Sequence, residues 1–391
     1  MANPIDGINP KVLVWARKRS GHSIEDVAPS LKKDTKEIES WEKGESAPTY
    51  VQLEKLAYAL YKRPLALFFF PDVPDEENPE KSFRTLPASE VDDLAPDTHH
   101  KIREAKAMQL SLAELTGRNP AEKQILKDLG FKGTEGPMVA AQRVREYLGV
   151  DLKTQKQWKS IPDALKAWRS TVENVGIFVF KDTFRQKEIC GFSLHDDADE
   201  FPLIVINNST AQTRQIFTLF HEIGHLIVHI SGITTKDDRY IYQLPSADRQ
   251  LEIFCNRFAA EFLVPSADFT ALIRARKEYD DKAISDLAFV YKVSREVILR
   301  RLLDRGLVNR ERYDNDVKRW LKEYDAKTQA EKGGGGNYHA TQATNLSEKY
   351  AQLAFSQYYR GAIPVERLAD YLNVSVKNIP GLEYYVLRKT S

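Results

Sequence analysis

The chain has 391 residues, 42% hydrophobic and 29% charged, with a formal net charge of +1, which excludes a global field that would draw it to nucleic acid or a membrane surface. Two cysteines, Cys190 and Cys255, exclude a disulfide framework and point to the cytoplasm. No apolar run reaches the roughly 18 residues of a membrane span, the first residues lack a secretory signal, and the length predicts roughly two to four domains.

Residues 1–70 read as a helical domain. Val12, Leu13 and Ala16 start an amphipathic helix that ends at Gly21. Ser23 caps a second helix, with Asp26 three residues on. Asp34 caps a third, Thr35–Lys43, which Gly44 stops. After Pro48 a fourth spans Tyr50–Tyr61, with Val51, Leu53, Leu56, Ala57 and Leu60 at helical spacing. The run Val27-Ala28, Ile38, Ser40-Trp41-Glu42, Gly44, Pro48, Leu53, Leu56-Ala57 and Leu60 resembles the repressor-type (XRE, Cro/C1) helix-turn-helix. That resemblance implies a recognition helix on operator DNA, with Lys33, Thr35, Lys36, Ser40 and Lys43 as contacts.

Two features depart from the pattern. Lys32 stands where the turn usually has glycine, and Glu37, Glu39 and Glu42 lie on the recognition helix. Residues 1–70 carry eleven Lys and Arg against nine Asp and Glu, a net of +2. That is little for a domain living on counterion release. A protein-docking module on the same helical fold is the alternative.

Residues 71–135 read as a Pro-rich connector and a helical spacer. Leu65-Ala66-Leu67-Phe68-Phe69-Phe70-Pro71 followed by Ser82-Phe83-Arg84 is familiar from proteins that join such a domain to a metallopeptidase. Three consecutive Phe are expected to be buried. Ile102, Ala105, Met108, Leu112 and Leu115 form one helical stripe, on which His99 and His100 point apart. Two further helices follow over 136–150 and 160–175. The period then changes to strands at 176–180, 189–194 and 203–207. Asn207-Asn208-Ser209-Thr210 is expected to turn and cap the next helix.

That helix carries Phe217-Thr218-Leu219-Phe220-His221-Glu222-Ile223-Gly224-His225-Leu226-Ile227-Val228-His229. His221 and His225 lie at i and i+4, the spacing at which two imidazoles hold one cation, and Glu222 can work on a water beside it. Ile216, Phe217, Leu219, Phe220, Ile223, Leu226 and Ile227 make the helix apolar nearly all round, so it is expected to be buried. Buried histidines and a carboxylate are costly unless something satisfies them, and a cation would. Gly224 suggests close approach by a neighbouring strand.

A catalytic zinc needs three protein ligands and an open position. Glu252, 27 residues after His225, offers the third, with Asn256 one turn on to hydrogen-bond a ligand histidine. Glu261 is the rival ligand. Cys255 reads as a small core residue. His229 reads either as a group behind the ligands or as a charge at the helix end. Tyr240, Tyr242 and His195 are weaker candidates near the site.

This motif, followed by Glu252-x-x-x-Asn256-x-Phe258-Ala259-Ala260-x-Phe262-Leu263-x-Pro265, resembles the ImmA/IrrE metallopeptidases over about residues 136–305. The resemblance implies Zn²⁺, with Mn²⁺ as the alternative, held by His221, His225 and Glu252. It implies Glu222 as catalytic base. It also implies an intracellular protease that cleaves a repressor or antitoxin, or an antitoxin-type regulator that binds a cognate toxin and DNA.

Beyond the motif, Ala28, Asp34 and Ile38 share their offsets with Ala288, Ser294 and Ile298 and with Ala369, Ser375 and Ile379. Three tri-helical units, or three tight αα-turns, would give this spacing. The charged stretch after residue 309 and Gly333–Gly336 read as a linker, and residues 345–391 as a helical tail. The expected fold is α+β and mostly helical: an all-α domain (1–70), connector and spacer (71–135), a gluzincin-like domain with a three-stranded sheet on the motif helix (136–308), linker (309–344) and helical C-terminal domain (345–391). Expected partners are a protein substrate or toxin, operator DNA through residues 1–70, and a second copy of the chain, but no membrane.

Overall fold

A computed structural model describes residues 3–76, 94–131, 135–195, 200–236, 241, 244–274, 278–330 and 337–387. The chain divides into two compact units, Met1–Ala107 with Phe184–Gln186, and Met108–Thr183 with Lys187–Ser391. Among the described residues no helix is long and apolar enough to cross a membrane.

The first unit begins with α1 (Pro10–Arg19), α2 (Ile24–Leu31), α3 (Thr35–Lys43) and α4 (Tyr50–Glu54), which widens to π-helical turns over Lys55–Tyr61. Caps set the boundaries. Asn9 accepts from the Lys11 N–H, Ser23 and Asp26 form a reciprocal capping box, and Asp34 accepts from the Glu37 N–H. Val12, Ala16, Val27, Ile38, Trp41 and Leu53 bury the shared core. Of the three phenylalanines expected inside, only Phe68 is buried; Phe69 and Phe70 are 40% and 50% exposed. They lie on and after a 3₁₀ turn, Leu65–Phe69, whose short period sends neighbouring side chains in different directions. The following Ser82-Phe83-Arg84 lies outside the described residues.

Helix α5 (Pro96–Leu115) leads to α6 (Ile125–Leu129), α7 (Pro137–Leu148), α8 (Leu152–Gln157) and α9 (Ile161–Glu173). The sheet follows as β1 (Phe178–Asp182), β2 (Ile189–Leu194) and β3 (Leu203–Asn207), then α10 (Gln212–Leu226) and β4 (Ile233–Thr235). Four strands replace the expected three, in the order β1-β3-β2-β4. The sheet is mixed: β1 and β3 are parallel, while β2 runs antiparallel to both β3 and β4. Three residues are too few for β4 to show a period; pairing with β2 makes it a strand.

Helix α10 starts after Ala211, without a side-chain cap. Asn207, expected to serve that end, instead accepts from the Ser209 N–H and hydroxyl and donates to Ile189 O. Gly191 lets α10 lie on β2: a Cβ there would stand 2.7 Å from Val205 O and 2.8 Å from Thr218 Cγ2. Phe220 stacks on Phe262 at 4.0 Å, and the Trp168 indole meets Phe220 edge-on at 4.9 Å.

The remaining helices are α11 (Ser246–Leu263), α12 (Ser266–Arg274), α13 (Asp281–Tyr291), α14 (Arg295–Leu303), α15 (Arg310–Ala330), α16 (Tyr338–Asn345), α17 (Glu348–Tyr359), α18 (Val365–Tyr371) and α19 (Ile379–Leu387). The charged stretch after residue 309 is thus helical as far as Ala330. Arg319 ties it to Asp281, and Trp320 is buried beneath Arg295. Gly333–Gly336 lies outside the described residues.

The shared Ala, Ser/Asp and Ile spacing is one αα-turn made three times. Lys32, Lys292 and Asn373 each take left-handed backbone, φ 57°, 60° and 50°. The next N–H donates to the carbonyl of Ala28, Ala288 or Ala369, at 3.0 Å in every case. The alanine and isoleucine are buried at each turn, which explains why the pattern repeats.

Helix α9 seats the C-terminal helices through two charged side chains one turn apart. Arg169 donates to the carbonyls of Thr344 and Leu346, at the end of α16. Glu173, buried, accepts from the Lys349 N–H at the start of α17 and from the Val179 N–H. Each charge faces the helix end whose dipole it complements. Glu173→Ala strands these donors. It is expected to lower the stability of the full chain by about 2 kcal/mol in urea unfolding, and to make residues 337–387 the first segment lost to limited proteolysis.

Candidate metal centre

Two antiparallel requirements meet on α10: an apolar helix has to be buried, and its polar residues have to find partners. Gln215 donates to Thr210 O at 2.7 Å. His221, Glu222 and His225 are 1%, 0% and 0% exposed. Spacing of one turn stacks the two imidazoles on the face toward α11, with Nε2 atoms 3.0 Å apart. Glu252, on α11 and fully buried, reaches between them: its two oxygens lie 3.3 Å from His221 Nε2 and 3.3 Å from His225 Nε2.

Gly224 permits this approach. A Cβ there would lie 3.1 Å from Cys255 Cα and 3.2 Å from Cys255 Sγ. The close neighbour is therefore helix α11, where the sequence suggested a strand. Cys255 is a buried contact residue, and burial pushes its thiol well above the ordinary range, keeping it protonated.

The donor atoms suit a cation. Those of His221, His225 and Glu252 lie within 4.8 Å of one another, the one such group among the described residues. Burial pushes the His225 imidazole below its ordinary range, so it is neutral with a lone pair to give. Asn256 Oδ1 lies 3.0 Å from His221 Nδ1. An amide oxygen only accepts, so the proton sits on Nδ1 and the Nε2 lone pair faces His225 and Glu252. Glu252 is a fully buried carboxylate between two imidazoles, and burying that charge is costly unless a cation compensates it. A divalent cation between the three residues would satisfy all of these atoms.

Glu222, adjacent to His221, stays outside this group. Its carboxylate accepts from Ser193 Oγ at 2.7 Å and Thr234 Oγ1 at 2.5 Å. Neither hydroxyl is marked by the sequence motif. The available signals are a serine inside a fully buried strand and a threonine twelve residues after Glu222, beyond the helix end.

The other candidates are placed elsewhere. Glu261 accepts from the Ser266 N–H and hydroxyl at 2.7 Å and pairs with Arg301 at 2.7 Å, so it serves the start of α12. His229 is exposed, with left-handed backbone at φ 59° beyond the end of α10, and its ring meets His195 edge-on at 5.5 Å. It thus lies outside the buried group, in the turn that closes the helix. Tyr240 and Tyr242 fall outside the described residues.

At α3, Lys33, just before the helix, pairs with Glu37 at 2.7 Å, and Lys43 with Glu39 at 3.5 Å. Ser40 bonds Ser46, Thr35 begins α3, and Lys36 is exposed. Glu42 binds Arg17 through both oxygens, at 2.6 and 2.9 Å.

Residues 172–303 match the protein family described as IrrE N-terminal-like domain, Peptidase_M78. The match spans β1 to α14 and contains the whole His221, His225 and Glu252 group. This part of the chain is therefore similar to an ImmA/IrrE-type metallopeptidase domain. No curated protein matches the chain.

With Zn²⁺ as the probe, His225→Ala and Glu252→Ala are expected to take metal content from about one per chain to near zero by plasma emission. Asn256→Ala should weaken binding about tenfold or more. Gly232→Ala tests the packing behind His225: its Cβ would stand 2.4 Å from the ring. It is expected to weaken both zinc binding and thermal stability.

Proposed function

We propose that the chain is a zinc-dependent endopeptidase that regulates a locus by cleaving a protein, with a repressor or antitoxin as the substrate class. The observation that carries this reading is a buried His/His/Glu group beside a carboxylate that does not belong to it. Two imidazole nitrogens and one carboxylate oxygen form the three-ligand set of catalytic zinc; manganese favours oxygen-richer sets. Held there, the cation would supply Lewis acidity toward a peptide carbonyl and an attacking water.

The chain's own residues do the rest. His221, His225 and Glu252 hold the cation. Asn256 orients His221. Glu222 takes a proton from the attacking water at a carboxylate oxygen and returns it to the leaving amine. Its hydroxyl partners still leave lone pairs for that proton, because each carboxylate oxygen offers about two acceptor sites.

Glu222→Gln keeps the ligands and removes the base. It is expected to lower cleavage by about 10²–10⁴-fold while zinc content is unchanged. The assay uses the product of the adjacent gene, tested for co-purification and for cleavage with and without chelator. Full cleavage by Glu222→Gln, or by chelated protein, would end the peptidase reading.

A second reading, regulation by binding alone, is favoured by the first unit. Lys33, just before α3, and Lys43, at its end, pair with glutamates of that helix, while Lys36 is exposed. Operator binding through Lys33, Thr35, Lys36, Ser40 and Lys43 would show as affinity falling with salt. The expected slope of log K against log salt for duplex DNA is shallow, about −2, corresponding to roughly two phosphates. A steep slope that Lys36→Ala reduces by about one would assign this unit to DNA.

A further inference from the structure

Glu222 is fully buried, and both of its oxygens are engaged by hydroxyls from neighbouring strands, Ser193 on β2 and Thr234 on β4. The strands hold these donors in register, with Phe192 opposite Ile233. Ser193 has little freedom. Its N–H donates to Gly232 O at 2.9 Å, and its Oγ accepts the Gly232 N–H at 3.2 Å. Its hydroxyl proton is thereby left for Glu222. Gly232 also packs against the His225 ring. The short segment Gly232–Thr234 thus touches a ligand and the base together.

The chemistry gives this arrangement a purpose. A glutamate next to a ligand histidine is a competing ligand: its side chain is long, flexible and anionic. If it reached the cation it would take the position that a catalytic zinc keeps open. Two charge-assisted hydrogen bonds to the sheet oppose that swing. We infer that Ser193 and Thr234 are positioning residues that hold Glu222 on the sheet, so that it serves as a base and not as a fourth ligand.

This inference rests on the metallopeptidase reading, and its test separates the two. The full chain, Thr234→Val, Thr234→Ser and the double variant Ser193→Ala/Thr234→Val are loaded with Co²⁺. Acetohydroxamic acid is then titrated while the visible spectrum is followed. This probe occupies the open position and donates a hydrogen bond to a correctly placed base.

All four proteins are expected to bind one Co²⁺. Thr234→Val should lose about tenfold in hydroxamate affinity, the double variant more, and Thr234→Ser should recover the parent value. Equal affinities and spectra in all four overturn the inference and leave the metallopeptidase reading standing. Failure of the parent to bind Co²⁺ overturns both.

A cycle on the metal-free full chain makes the contact independently testable. The fall in Tm from Thr234→Val should be smaller when Glu222 is already replaced by Leu. Identical falls in both backgrounds would show that the hydroxyl does not act through Glu222, and would overturn the proposal even if the hydroxamate affinities differed.

Discussion

The distance between α10 and α11 is the constraint on which the site depends. Two helices ordinarily pack with axes 8–10 Å apart, set by the side chains at the contact (about that range in general). Here Gly224 faces Cys255 with no room to spare for a Cβ. The smallest residue on one helix meets a small thiol on the other. Glu252, one turn before Cys255, is consequently brought between the two imidazoles. Glycine in mid-helix costs about 1 kcal/mol relative to alanine, and the proximity it allows is what turns three separate side chains into one group.

The sheet supplies what the helix pair lacks. His221 and His225 face α11, while Glu222, the next residue around the helix, faces β2 and β4. One helix therefore presents two imidazoles to one neighbour and a carboxylate to another. The separation of roles follows from the rotation of about 100° per residue in an α-helix. Gly191 on the strand and Gly232 before β4 repeat the device seen at Gly224: the missing Cβ admits Thr218 of α10 at the first and the His225 ring at the second.

Much of this was legible beforehand. The caps Ser23 and Asp34 acted locally, and the helices they begin lie where their residues indicated. The motif helix was recognisable because polar residues interrupt an otherwise apolar run. Other features were hidden. Glu261 and Glu252 share a helix, and only Ser266 and Arg301, brought in by other elements, assign Glu261 to structure. Arg169 and Glu173 look like an ordinary exposed pair on α9, yet they hold the ends of two helices about 175 residues further on. Phe69 and Phe70 show the opposite failure, since apolar character alone does not decide which neighbours share a face.

By itself the sequence determined what depends on neighbours along the chain: the capped starts of α2 and α3, the stop of α3 at Gly44, and the i, i+4 placement of His221 and His225. These follow from backbone sterics and from hydrogen bonds that close within a few residues. Spacing singled out Glu252 over Glu261, but tertiary structure alone decided that Glu252 reaches both imidazoles, which hydroxyls bond Glu222, and that three residues after α10 become a strand. Such outcomes rest on distances between distant segments, and no local preference of Glu252, Ser193 or Thr234 encodes them.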